Sequence, residues 1–241
     1  LGFASMLNLL CFVHSTFLDD VLVWYKFNSN SVARVKDWDI NARDGEKTAS
    51  GSSMSVSTSY GLHLEGSDVK VPPNLYSAST SLLSFPSFSV QMFIRPLSSS
   101  NPTSEVFTHY TPSGIAIQLR TLSQSGKFKI EVYYKLGSQE YTDSSAALFD
   151  YSKWYIFQTG VDSLTTQTRV SLCVNESSIS DITRSGLLPG WTSSKLGGPT
   201  TKMIVYNFIY FMKWIPCSYG GDYSLLDSAG DSCSFACTSK E

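Results

Sequence analysis

The 241-residue chain predicts an all-β fold, an antiparallel β-sandwich, on three observations. Apolar residues alternate with polar ones in short runs, the period of a strand with one face buried. The polarity is hydroxyl polarity, with 42 serines and 18 threonines but a charged fraction of only 16%. An average soluble protein carries about 25% charged residues. Exposed helices need Glu, Lys, Arg and Ala on their outer faces, whereas hydroxyl-rich sequence suits sheets and turns. Third, no segment shows a helical apolar stripe, and no repeat of about 20–50 residues runs through the chain.

The elements follow in order. Val21-Leu22-Val23-Trp24-Tyr25-Lys26-Phe27 is the first strand, and residues 28 to 61, rich in Ser, Asn, Asp and Gly, read as a long loop. Leu62 to Glu65 and Val69 to Val71 are strands joined by the turn Gly66-Ser67-Asp68. Over 87 to 95, Phe88, Val90, Met92 and Ile94 share one face, with Ser89, Gln91 and Arg95 opposite and Phe93 breaking the polar side. Ile115 to Leu119 and Phe128 to Tyr134 repeat the pattern around the turn Ser123-Gln124-Ser125-Gly126. Trp154 to Val161 is a further strand, and in the next Val170, Leu172 and Val174 point one way, with Cys173 the other. Met203 to Trp214 is apolar on both faces and reads as a strand buried on both sides. The expected core is Phe88, Val90, Met92, Ile94, Ile130, Val132, Trp154, Val170, Leu172 and Val174.

Met6 to Phe17 is apolar, too short to span a bilayer and close to the apolar core of a signal peptide. Cleavage after Ser15 would make residues 1–15 a leader remnant; a buried first strand or part of a larger chain is the alternative. The sandwich then covers 16–216, and 217–241 is a cysteine-containing C-terminal tail or the start of a cysteine-rich module. Loss of the leader removes Cys11 and leaves four cysteines, Cys173, Cys217, Cys233 and Cys237. Their even number suits an oxidising compartment. Four cysteines allow three pairings. The outward alternation of Cys173, and the position of Cys217 where the tail leaves the last strand, favour Cys173–Cys217. Cys233–Cys237, or partners beyond Glu241, would close the rest. Asn175-Glu176-Ser177 is an N-glycosylation sequon at the end of a strand. The expected localisation is extracellular, secreted or cell-surface.

The succession of segments resembles the laminin-G-like, concanavalin A-like lectin/glucanase superfamily. Trp24-Tyr25-Lys26-Phe27 is similar to its opening aromatic strand, and Asp37-Trp38-Asp39-Ile40-Asn41-Ala42-Arg43-Asp44-Gly45 to its polar loop. Leu62 to Pro72 is similar to its "L-x-F-D-G-x-D-x-V-x-V-P" element, and Phe88 to Pro96 to its "F-T-I-S-x-W-V-K-P" strand. Trp154-Tyr155-Ile156-Phe157 with Val161-Asp162 resembles "W-H-H-V-A-V-x-x-D", and Val170 to Asn175 resembles "V-x-L-Y-V-N-G". Leu196-Gly197-Gly198 and Met203 to Trp214 resemble its closing pair. The resemblance covers residues 21 to 215 and implies a jelly-roll sandwich. Two departures stand out: Tyr206-Asn207-Phe208 replaces the acidic pair of the last strand, and Asn175-Glu176 replaces an Asn-Gly turn. Where such domains bind calcium, both the loop and the last strand contribute carboxylates, so this chain offers only the loop half.

The composition excludes some chemistries. A net charge of −2 with no basic block argues against a nucleic-acid partner, and aromatics at 13%, spread along the chain, argue against disorder. No E-x-D-x-x-E run places two carboxylates on one strand face for glycoside hydrolysis. Glu65 and Asp68 lie three apart across a turn. His63 and His109 each stand alone on strand-like sequence and read as sheet-surface residues. No phosphate loop, metal-binding H-E-x-x-H or G-x-S-x-G pattern occurs, so the chain reads as non-enzymatic. The candidate cofactor is calcium, held by Asp37, Asp39, Asn41 and Asp44, set against an Asx-turn-rich surface loop. Tyr110, Tyr133, Tyr141, Tyr151 and Trp191 are candidate sugar-stacking rings. Tyr110 and Trp191 lead, Trp191 because Leu188-Pro189-Gly190-Trp191-Thr192-Ser193 has loop composition. The expected function is an extracellular recognition module for a glycan or protein. A structural packing module of a fibre or coat, or a degenerate glycoside hydrolase, is the alternative.

Overall fold

The computed structural model describes residues 21–27, 34–35, 45–47, 53–57, 61–71 and 87–217. The expected leader, the Asp37–Asp44 loop, Cys233 and Cys237 lie outside the described residues. The described residues form sixteen strands. The first eight are β1 (Val21–Lys26), β2 (Arg34–Val35), β3 (Gly45–Lys47), β4 (Ser53–Ser57), β5 (Gly61–Glu65), β6 (Asp68–Val71), β7 (Ser87–Pro96) and β8 (Thr103–Thr111). The rest are β9 (Gly114–Gln124), β10 (Lys127–Leu136), β11 (Gln139–Ser144), β12 (Tyr155–Ser163), β13 (Gln167–Val174), β14 (Ser177–Ser185), β15 (Ser193–Gly197) and β16 (Lys202–Phe211).

They make two eight-stranded antiparallel sheets. Sheet A runs β14-β13-β12-β7-β16-β5-β4, with β1 also paired to β16. The first half of β16 pairs with β5 through Lys202–Val205, and its second half with β1 through Asn207–Phe211. Sheet B runs β11-β10-β9-β8-β15-β6-β3-β2. Crossovers between the sheets join most distant strands, which is jelly-roll topology.

The alternation explains the core. Phe88, Val90, Met92 and Ile94 of β7 are fully buried, as are Ile130 and Val132 of β10 and Leu172 of β13. Aromatic rings fill the space between the sheets: Phe88 stacks on Tyr210 of the neighbouring strand in sheet A at 5.5 Å, and Phe107 of sheet B meets Phe208 of sheet A at 5.5 Å. Trp154 departs from the expectation. It precedes β12, whose inward residues are Tyr155, Phe157, Thr159 and Val161, and it stacks instead on the outward Phe93 at 4.9 Å. An inward frame begun at Trp154 is one residue out of step, and one step turns every side chain to the other face.

Residues 28 to 61 hold β2, β3 and β4 rather than loop alone. β8, β11, β14 and β15 also lack a clean apolar alternation. β14 is an edge strand with much of both sides exposed, so no apolar face is required of it. Where β11 and β14 approach at the sandwich edge, Arg184 donates to Tyr134 Oη at 2.8 Å and to Asp143 Oδ1 at 2.8 Å. Tyr134 Oη donates to Asp143 Oδ2 at 2.7 Å, which closes a three-member network on buried groups.

The β13–β14 hairpin turns on Asn175 and Glu176, both at positive φ (47° and 65°). Two successive left-handed residues are what a type I′ two-residue hairpin turn demands, so a glutamate occupies a position that suits glycine. Asn175 is exposed at this turn, and its Oδ1 accepts from Ile156 N at 2.9 Å.

Candidate functional site

The outer faces of the two sheets differ, and the difference locates the candidate site. On sheet A, alternation turns Ser89, Gln91, Gln158, Gly160, Ser171 and Cys173 outward, yet all but Gly160 are buried side chains at 3% exposure or less. The chain after β16 covers them. Ile215 N donates to Ser89 Oγ at 2.8 Å, and Gln158 Nε2 donates to the carbonyls of Ile215 and Pro216 at 2.7 and 3.2 Å. Trp214 Nε1 donates to Ser171 Oγ at 3.2 Å, and the Arg169 guanidinium lies 4.1 Å from the Trp214 ring centre. Gly160 makes room for this strap. A Cβ there would stand 2.9 Å from Ser171 Oγ and from Ser89 Oγ, and 3.0 Å from Trp214 Cδ1. The Cys173–Cys217 disulfide fastens the strap's end, with the two Cα atoms 5.6 Å apart.

Sheet B carries no such strap among the described residues. Its register aligns a row of outward side chains: Lys70 opposite Lys195, Lys195 opposite Thr108, Thr108 opposite Gln118, Gln118 opposite Tyr133. Thr108 and Gln118 are buried by their neighbours, and Gln118 Nε2 donates to Thr108 Oγ1 at 3.1 Å and to Glu105 Oε1 at 3.4 Å. Half-exposed groups flank this pair. On one side Lys195 Nζ lies 5.9 Å from the centre of the Tyr110 ring and pairs with Asp68 at 2.6 Å. On the other, Arg120 lies 5.4 Å from the centre of the Tyr133 ring and pairs with Glu131. The face therefore presents two tyrosine rings, each with a cation beside it, around a hydrogen-bonded amide and hydroxyl.

The electrostatics follow from burial and pairing. Burial pushes the Glu105 carboxyl up, against the hydrogen bond from Gln118 and the nearby Lys195 charge, which pull it down. Its Oε2 rests against the backbone of Gly198, where a Cβ would collide with it, and it has no hydrogen-bond partner. The Asp68 carboxylate holds the Lys195 ammonium above its ordinary range. Burial, and then the Glu105 charge, raise the Tyr110 phenol. Burial, and then Glu140, raise that of Tyr133. Both rings stay neutral hydroxyl donors at physiological pH. Among the described residues no group of three or more His, Cys, Asp and Glu side chains is placed to hold a metal ion.

The structure separates the two leading candidate rings. Tyr110 stands half-buried on the outer face of sheet B. Trp191 is 4% exposed: it stacks on His109 at 4.3 Å and meets Phe88 edge-on at 5.3 Å. Loop composition misled there, because Leu188 and Trp191 turn inward to close the end of the core while Leu187 is exposed. His109 is likewise no surface residue. It is fully buried, with Nδ1 2.5 Å from Ser194 Oγ and Nε2 3.3 Å from Tyr210 Oη, and burial drives its pKa well down. His63 is half-buried on β5. Sequence reading missed Gln118, Thr108 and Lys195 as site residues. Only the pairing register brings them together, and β8 and β15 lacked a legible alternation.

A 310 Å³ pocket lies at the end of this face, between the β8–β9 turn, the β10–β11 turn and Pro189-Gly190. A 660 Å³ polar bowl is lined by Ser98, Ser99, Ser100 and Asn101 with Glu65 and Lys202.

No protein-family model and no curated protein sequence matches the chain. Solved structures do. Trypanosoma rangeli sialidase aligns with a TM-score of 0.60 at 12% identity, over 83% of this chain and 32% of that one. The receptor-binding domain of botulinum neurotoxin type G aligns with a TM-score of 0.56 at 10% identity, over 83% and 49%. Domain 4 of AbnA, a GH43 extracellular arabinanase from Geobacillus stearothermophilus solved with arabinotriose, aligns with a TM-score of 0.56 at 16% identity, over 83% and 95%. This chain thus spans about a third of the sialidase and about half of the neurotoxin domain, but nearly the whole of the arabinanase domain. What these similarities establish is the fold, a β-sandwich of concanavalin A-like, jelly-roll type.

Proposed function

We propose that the protein is a non-enzymatic, laminin-G-like recognition module that binds a glycan on the outer face of sheet B. The observation that carries this reading is the cross-strand row Lys195–Thr108–Gln118–Tyr133, flanked by Tyr110 and Arg120. Tyrosine faces stack on sugar rings while their hydroxyls stay wet. The half-exposed Arg120 and Lys195 cations donate to sugar hydroxyls beside the rings, and the buried Gln118–Thr108 pair beneath them helps hold the sheet in place before the ligand arrives. The structural neighbours include a domain solved with arabinotriose, which supports a carbohydrate ligand.

Binding fits the carboxylates better than hydrolysis does. Glycoside cleavage needs an acid and a second carboxylate flanking the bond. Here Asp68 is tied to Lys195 and Glu131 to Arg120, while Glu105 is turned against Gly198. An extracellular setting is supported by the Cys173–Cys217 disulfide, since such bridges persist in oxidising compartments. The exposed Asn175 is then a glycosylation acceptor at a hairpin tip. No helix among the described residues is long and apolar enough to cross a membrane.

The test is a glycan array probed with the wild type, Tyr133→Ala and Tyr110→Ala. Binding by the wild type with a loss of about tenfold or more in each variant is the expected result. Equal binding by all three would move the site off this face.

A further inference from the structure

The face ends in a pocket, and its walls limit what part of a glycan reaches it. Thr111, Ser113, Gly114 and Ile115 form one wall at the β8–β9 turn, Lys135 and Gly137 a second at the β10–β11 turn, and Pro189 and Gly190 a third. Gly137 N donates to Leu187 O at 3.3 Å, and Thr192 N donates to Tyr110 O at 2.7 Å. The 187–192 loop is therefore pinned to the β10–β11 turn on one side and to β8 on the other.

The pocket's volume of 310 Å³ is at the small end of the roughly 300–1,000 Å³ of ligand pockets, room for a sugar ring rather than a chain. Its lining suits such a ring. The Thr111 hydroxyl is taken up locally, donating to Gly114 O at 3.1 Å and accepting from Ser113 N at 3.2 Å, while the Ser113 hydroxyl, 3.1 Å from it, keeps an oxygen free to accept from a ligand. Lys135 joins the pocket to the face, because it stands two residues beyond Tyr133 on the same outward side of β10, where it pairs with Glu140 at 2.7 Å. Three of the lining residues are glycines, Gly114, Gly137 and Gly190, and a Cβ on any of them would meet nothing within 4 Å.

We infer that this pocket receives the terminal monosaccharide of the glycan, so that the module recognises chain ends rather than internal stretches. The inference rests on the glycan-binding reading of sheet B. Gly190 supplies a clean probe. Unlike Gly114 and Gly137 it is not among the positive-φ residues, so Gly190→Leu adds bulk at the pocket wall without backbone strain.

The experiment is the printed glycan array with wild type, Tyr133→Ala and Gly190→Leu, each first checked for an unchanged melt. Wild-type binders should share a terminal sugar whatever their inner chain, and Gly190→Leu should lose them by about tenfold or more. Gly190→Leu binding like the wild type, while Tyr133→Ala does not, overturns chain-end recognition and leaves the face as the site. Binders that share an inner sequence irrespective of their ends overturn it equally. A wild type that binds no glycan overturns both readings. Should Gly190→Leu melt early, Pro189→Leu with Gly190 retained replaces it, with the same expected loss and the same contradicting result.

Discussion

The outer faces of sheets A and B start from similar chemistry and end differently. Both carry buried amides and hydroxyls: Ser89, Gln91, Gln158 and Ser171 on one, Thr108 and Gln118 on the other. On sheet A the backbone and indole of the chain's own strap take up Ser89, Gln158 and Ser171, and Gln91 in turn donates to Gln158. On sheet B they are bonded to one another and to charged neighbours, and tyrosine rings stand beside them. A polar sheet face is therefore not by itself a binding site. What decides is whether the chain's own backbone already occupies it.

The largest expected effect comes from unfastening the strap. The bridged cysteines are 44 residues apart, for which loop-closure entropy gives about 4 kcal/mol of stabilisation. Cys173→Ser with Cys217→Ser should lose about that much by denaturant titration, and amide exchange should rise over residues 212–217 while sheet B keeps its protection. A loss spread equally over both sheets would break the comparison. Gly160→Ala should cost about 1–3 kcal/mol through overpacking under Trp214, read as a lower melting temperature. No cost would mean that the strap does not lie against β12.

His109 sharpens the comparison from inside. Its folded-state pKa is depressed by burial, so the unfolded chain binds a proton that the folded chain refuses. Stability should fall as pH drops below the ordinary histidine value of about 6.5, by at most about 1.4 kcal/mol per pH unit. His109→Gln should flatten that dependence between pH 7 and 5, and an unchanged slope would place its origin elsewhere. Smallest in stability is Tyr133→Ala, on a half-exposed site, expected within about 0.5 kcal/mol of wild type while glycan binding is lost.

The strands with one apolar face were legible, because burial on one side writes alternation into sequence. Phe88 to Ile94 and Val170 to Val174 are cases in point. The strap's anchor was legible as well: Cys173 falls out of step with the core residues and Cys217 follows the last strand, and together they form the disulfide. β8, β14 and β15 were not legible. Their polar residues are buried by cross-strand neighbours or sit at an edge, and neither condition leaves a periodic mark. Trp154 and Trp191 fail for a related reason. Each sits where a strand frame begins or a loop closes the core, and a one-residue shift there exchanges inside for outside. The site on sheet B depends on register between strands far apart in sequence, so only its half-exposed rings, Tyr110 and Tyr133, could be nominated from sequence.

The most direct test of a strapped face opposite a recognising one is amide chemical-shift mapping of the isotope-labelled protein, titrated with the strongest glycan from the array. Shifts should concentrate at Thr108, Tyr110, Gln118, Tyr133 and Lys195 and leave residues 212–217 unmoved. Shifts concentrated instead at Phe93, Trp154 and Tyr206, on the outer side of sheet A, would contradict it.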